Sequence, residues 1–233
     1  MTILVKLIFL GALGYLLKVR LRTLLAYFQQ EEYDGARYVG ALQTVRLYDI
    51  RASLVILVTV GLMLLHAPAV VLLGSAAVLG AIAWVESKYR FKKPLAMTER
   101  ARRIYLLAAA LLVLPFLISF YWLLFAVVTL QLAPFALIAA NQVLAPFQQR
   151  INDKYIVEAR EKLARMDPTR IGITGSFGKT TVKHILAEIL EGSAPVFYSR
   201  GSINTVLGLT RHIRQRLQWS HKYFIAEMGA YGE

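Results

Sequence analysis

Two stretches of this chain, residues 52–85 and 104–149, contain no aspartate, glutamate, lysine or arginine, and the second is 46 residues long. A water-soluble domain interrupts its buried runs with charge, whereas a hydrocarbon core about 30 Å thick stabilises such stretches. As one helix the second stretch would extend about 70 Å at 1.5 Å per residue, more than twice that core. It therefore predicts two spans. The turn between them is expected near Ser119-Phe120-Tyr121-Trp122, whose rings favour an interface, with Pro115 and Pro134 inside the spans. The first stretch carries His66-Ala67-Pro68 near its middle, where proline can end one helix and begin another, so it reads as a hairpin borrowing Tyr48 and Trp84 at its ends, with one continuous tilted helix as the alternative.

Basic residues sit where these runs stop. Residues 18–51 hold six and residues 86–103 hold seven: Lys88, Arg90, Lys92, Lys93, Arg100, Arg102 and Arg103. Charge so placed orients spans with these loops in the cytoplasm and attracts anionic lipid headgroups. Residues 2–17 are apolar and are followed, not preceded, by Lys18, Arg20 and Arg22, which fits an anchor with its N-terminus outside better than a signal peptide. Lys6 reads as a snorkelling side chain. The expectation is an α-helical transmembrane bundle of about five spans over residues 1–146, in a cytoplasmic membrane. The net charge of +13 does not imply a nucleic-acid partner, because no aromatic-plus-basic RNA motif or zinc-ligand spacing accompanies it. With no cysteine, disulfides and thiolate metal sites are excluded.

After Pro146 the pattern changes. Residues 147–167 place Ile151, Tyr155, Ala159 and Leu163 at helical spacing among charges, which reads as a solvated juxtamembrane helix ended by Asp167-Pro168. From residue 168 strand and helix signals alternate: strands at 170–174, 195–198 and 222–228, helices at 180–190 and 205–217. This is the start of an α/β domain with a parallel, doubly wound sheet, in which ligands gather at the carboxyl ends of the strands.

At the end of the first of these strands stands "GITGSFGKTT", residues 172–181. Its glycines let backbone N–H groups converge on phosphate oxygens, and the helix that follows presents its positive N-terminus to the same anion. Lys179 adds charge near the β- and γ-phosphates, and the Thr180 hydroxyl can ligate Mg²⁺. Glu227 ends the third strand on the same sheet edge, where a carboxylate completes an oxygen-rich magnesium site. The general phosphate-loop pattern is not met in full, since Ile173 stands where its first glycine would be. His184, His212 and His221 show no ligand spacing and read as surface or packing residues.

The form T-G-[ST]-x-G-K-T-[ST] resembles the Mur ligase family, ATP-dependent amide-forming enzymes of cell-wall precursor synthesis. "GSINTVLGLT" (201–210) and "FIAEMGAYGE" (224–233) resemble two further family segments in the same order, the last most similar to the D-alanyl-D-alanine-adding branch. The resemblance implies nucleotide contacts from Gly175, Ser176, Phe177, Gly178, Lys179, Thr180 and Thr181, with Asn204 near the phosphates or the substrate. It implies Mg²⁺ on Thr180 and Glu227, with Lys179 and Glu227 as the residues serving catalysis. It further implies ATP and Mg²⁺ as cofactors, and a cell-wall precursor plus an amino acid or dipeptide as substrates. ATP would phosphorylate a carboxylate, and an amine would then attack the acyl phosphate. Thr205 and Thr210 depart from the family's second asparagine and its proline.

A second metal site, adenine contacts and an amino-acid-binding domain are expected beyond Glu233. A three-strand sheet is also expected to leave an edge and an apolar face uncovered, as in the front end of a longer ligase inactive by itself. The alternative is a nucleotide-binding membrane anchor or transport module without ligase activity.

Overall fold

A computed structural model describes residues 2–45, 48–89 and 94–229. The chain is mostly helical, and it divides into two compact units, Met1–Pro146 and Phe147–Glu233. Arg46, Arg90, Lys92 and Lys93 of the basic loops, and residues 230–233 of the third motif, lie outside the described residues.

The first unit is built from helices α1 (Thr2–Gln30), α2 (Gly35–Val45), α3 (Ile50–Leu64), α4 (Val71–Ser87), α5 (Glu99–Ile118) and the first part of α6 (Leu124–Met166). The apolar stretch around His66 folds as two helices packed together. His66 adopts a left-handed φ of 60° between them, and the hydroxyls of Thr59 and Ser75 meet at 2.5 Å. The 46-residue run breaks between Ile118 and Leu124, at the aromatic cluster, and Pro115 and Pro134 lie inside helices. Among the described residues, α5 and α6 are long and apolar enough to cross a membrane, while α3 and α4 are shorter apolar helices.

Helix α1 differs from its expected extent. It does not stop at residue 17 but continues through Lys18, Arg20 and Arg22 to Gln30. Leu21, Leu24, Leu25 and Phe28, at i, i+3, i+4 and i+7, are buried and carry one apolar stripe past the charges. Arg20 is itself buried and pairs with Glu86 of α4 at 3.4 Å. Polar side chains turn inward elsewhere too: Gln131 donates to the Ser53 hydroxyl and the Asp49 carbonyl, and Arg100 donates to Asn141. The outward surface carries Leu57, Val58, Leu65, Leu106, Leu111 and Leu114.

The second unit begins within α6, which passes Pro146 unbroken and ends where Asp167 takes a φ of 39° before Pro168. The stretch expected to be a solvated linker is only partly so. Ala159 is buried in an apolar cluster with Leu163 and Met166 against it. The Lys162 ammonium donates to the carbonyls of Ile213 and Arg214, at 2.9 and 3.0 Å, satisfying groups that a helix end leaves without partners.

Three parallel strands, β1 (Thr169–Ile173), β2 (Val196–Tyr198) and β3 (Tyr223–Glu227), form a sheet in the order β1-β3-β2. Helix α7 (Lys179–Glu191) covers one face, over Ile171, Ile173, Val196 and Ile225. Helix α8 (Val206–Arg216) and the end of α6 cover the other, over Phe197, Phe224 and Ala226. The expected bare face is therefore absent among the described residues. With a period of two, β3 turns Tyr223, Ile225 and Glu227 toward α7. In register, Ile173 of β1 stands beside Glu227.

Candidate functional site

The site grows from the junction of β1 and α7. After Ile173 the backbone leaves the sheet through two glycines in conformations that L-residues avoid, Gly175 at φ 150° and Gly178 at φ 73°. Gly178 is the N-cap of α7 and has open space where a Cβ would stand, so its constraint is conformational rather than steric. The loop is thereby bent so that α7 starts at Lys179, its first N–H groups lacking helical partners. The Lys179 ammonium folds back over the loop and donates to the Gly175 carbonyl at 2.6 Å.

Thr180 and Glu227 come together. The threonine hydroxyl donates to Glu227 Oε2 at 2.9 Å, and the glutamate is buried at 2% exposure. The same carboxylate oxygen accepts from the Lys183 ammonium at 3.2 Å, and Lys183 also donates to the Gly201 carbonyl. Burial pushes the Glu227 pKa up, but the hydrogen bonds from Thr180 and Lys183, with the nearby charges of Lys183 and Lys179, outweigh it and hold the group below its ordinary value. Glu227 is thus a carboxylate at neutral pH.

The remaining expected residues are placed as follows. Phe177 is 93% exposed at the loop tip, and Ser176 and Thr181 are exposed beside it. Asn204 is half-buried, and its backbone carbonyl accepts from Gly229 N at 3.2 Å, which joins the second motif to the third. Thr205, a departure from the family pattern, caps α8 by accepting from Gly208 N at 3.2 Å. Gly208 is required by close approach, since a Cβ there would lie 2.6 Å from Ile203 Cγ2.

Lys183 escaped the sequence reading, because a lysine in an amphipathic helix is ordinarily assigned to the solvated side. The signal was present. Lys183, Leu186, Ala187 and Leu190 fall at i, i+3, i+4 and i+7, so the lysine lies on the stripe that faces the sheet.

The donor set fits a hard divalent cation. Neighbouring oxygens around an octahedral Mg²⁺ with bonds of 2.0–2.1 Å lie about 3 Å apart, the separation found between Thr180 Oγ1 and Glu227 Oε2. Among the described residues no group of three or more histidine or acidic side chains gathers into a protein-only metal site. A cation here would take its other ligands from phosphate oxygens and water.

A glycine loop between a parallel strand and a helix, with a carboxylate on the adjoining strand, marks the second unit as an α/β module built on a small parallel sheet. Residues 173–233 match the Mur ligase middle domain family. Over 75 residues the chain is 36% identical to UDP-N-acetylmuramoyl-tripeptide--D-alanyl-D-alanine ligase of Haemophilus influenzae, covering 30% of this chain and 16% of that enzyme. Both matches support the Mur ligase family for this segment, and both are partial. No solved structure matches the chain.

Proposed function

We propose that this chain is the membrane-anchored part of a Mur-type ATP-dependent ligase that forms an amide bond in cell-wall precursor synthesis. The observation that carries the reading is the pairing of Thr180 with Glu227 beside a glycine loop at the carboxyl edge of a parallel sheet. In this reading the loop amides from Gly175 to Gly178 and the α7 N-terminus hold the polyphosphate of ATP, together with Ser176 and Thr181. Lys179 leaves the Gly175 carbonyl to pair with the β- and γ-phosphates and spreads the charge of the transferring phosphoryl group. Thr180 and Glu227 would hold Mg²⁺, which neutralises phosphate charge when bound. Phe177, exposed at the loop tip, and Asn204 flank the space where nucleotide or substrate enters.

The membrane part of the proposal is five spans with the N-terminus outside and the ligase unit on the cytoplasmic side. It is supported by the outward apolar surface of the first unit and by polar pairs such as Thr59–Ser75 that lie within its apolar core. The spans then hold the ligase unit near lipid-linked precursors at the cytoplasmic face. The amide-forming step and its substrates follow from the family resemblance.

The test is calorimetric titration of Mg·ATP into the purified chain in nanodiscs. Binding is expected in the wild type, with affinity about 100-fold lower in Lys179→Ala, the scale of a lost hydrogen bond to a charged group. Equal binding by both proteins, or none by the wild type, overturns the nucleotide reading.

A further inference from the structure

Lys183 is fully buried, and its ammonium joins its own helix to two other parts of the chain. It lies on α7 one turn after Thr180, donates to the carbonyl of Gly201 in the second motif, and donates to Glu227 at the end of β3. Thr180 and Lys183, at i and i+3, share a face of α7, and both bonds to the carboxylate fall on the one oxygen, Oε2. Gly201 sits at a left-handed φ of 58°, and three residues on, the Asn204 carbonyl receives Gly229 N from just beyond β3. The turn at residues 201–204 is therefore held at both ends. One tie is a backbone bond and the other is a lysine that shares its carboxylate with the phosphate-loop helix.

A buried ammonium is costly unless its donors are engaged, so its bonds redistribute when one acceptor changes. A cation held at Thr180 would draw on Glu227 Oε2, weakening its bond to Lys183 and leaving the ammonium to the Gly201 carbonyl. We propose that Lys183 is a positioning residue, resting on the nucleotide reading above, that transmits occupation of the phosphate loop through Glu227 to the turn at residues 201–204. It touches neither nucleotide nor substrate. Its effect is to order the Asn204 segment when the phosphate loop is filled, a coupling between two loops that are distant in sequence.

The experiment is amide hydrogen exchange on the full chain in nanodiscs, with and without saturating Mg·ATP, for wild type, Lys183→Met and Lys183→Gln. In the wild type, Mg·ATP is expected to slow exchange at residues 201–204 by about 10-fold, a local ordering effect. In Lys183→Met the nucleotide still binds and still protects residues 175–180, but protection at 201–204 falls to less than about 2-fold. Lys183→Gln, which keeps a donor without the charge, recovers part of it, and it carries the test alone if the methionine variant does not fold. A merely structural lysine would lower protection in both segments together. Undiminished protection at 201–204 in the variants, with binding intact, overturns this inference and leaves the nucleotide reading standing. Failure of the wild type to bind Mg·ATP overturns both.

Discussion

Among the described residues, each unit buries one ion pair between a basic side chain on a helix and a glutamate, Arg20–Glu86 at 3.4 Å in the first and Lys183–Glu227 at 3.2 Å in the second. Their surroundings differ. Glu86 Oε2 is buried without a partner among the described residues, and the helices around the pair turn leucines outward. Glu227 instead gathers Thr180 and Lys183 on one oxygen beside a loop of exposed backbone. A buried pair is weak evidence for stability in itself, because desolvation offsets the attraction. What distinguishes the second pair is the chemistry that converges on it from three motifs. The first lies between helices of the apolar unit.

The sharpest way to break this contrast is to remove one acid from each pair. Glu227→Ala leaves the Lys183 ammonium enclosed and should destabilise the second unit by about 3–5 kcal/mol, read from amide exchange in β3. Glu86→Ala should cost the first unit only about 1–2 kcal/mol at α1 and α4, since the long Arg20 side chain can carry its charge toward an interface. Equal losses would erase the distinction.

The surfaces give the next largest effect. Leu111→Arg, on the outward side of α5, should raise the cost of membrane insertion by about 2.5–3.5 kcal/mol in a translocon insertion assay. Ile189→Arg, on the exposed side of α7, should change stability by no more than about 0.5 kcal/mol by the same exchange measurement. An arginine tolerated at 111 without loss of insertion would contradict a lipid-facing α5.

The smallest effect is a pH dependence of the second unit. Burial, and then the charges of Arg216, Arg211, Arg200 and Lys183, hold the His212 imidazole below its ordinary pKa of 6.5. The unfolded chain therefore binds the proton first. Stability should be full above pH 6.5 and decline as the pH falls from there toward the folded-state value, and His212→Gln should flatten the decline in α8 amide exchange.

Much of this organisation was legible in the chain itself, for physical reasons that also mark where reading fails. Uncharged runs announce helices because no charge interrupts them, and His66-Ala67-Pro68 and the aromatic cluster at 119–122 fall where the helices break. Strand and helix alternation after residue 168 is written in side-chain periodicity. Neighbour order is not, because periodicity says which residues pair with a sheet but not which strand stands beside which. The closeness of Thr180 and Glu227 followed from both lying at one sheet edge, whereas the direct hydrogen bond between them is seen only in the structure. The place of Lys183 did not follow, because its burial depends on a carboxylate 44 residues away. The passage of α6 through Pro146 was not legible, because the change there from uncharged to charged sequence is a boundary of composition and not of backbone conformation.

The strand order has a consequence for synthesis. Of the three described strands, the one translated after the other two, Tyr223–Glu227, is the middle one, and both β1 and β2 pair with it rather than with each other. As the nascent chain leaves the ribosome, the first two strands have no native partner until the third emerges. The glycine loop consequently gains its carboxylate only once β3 has emerged, after the helices of the first unit have already been made.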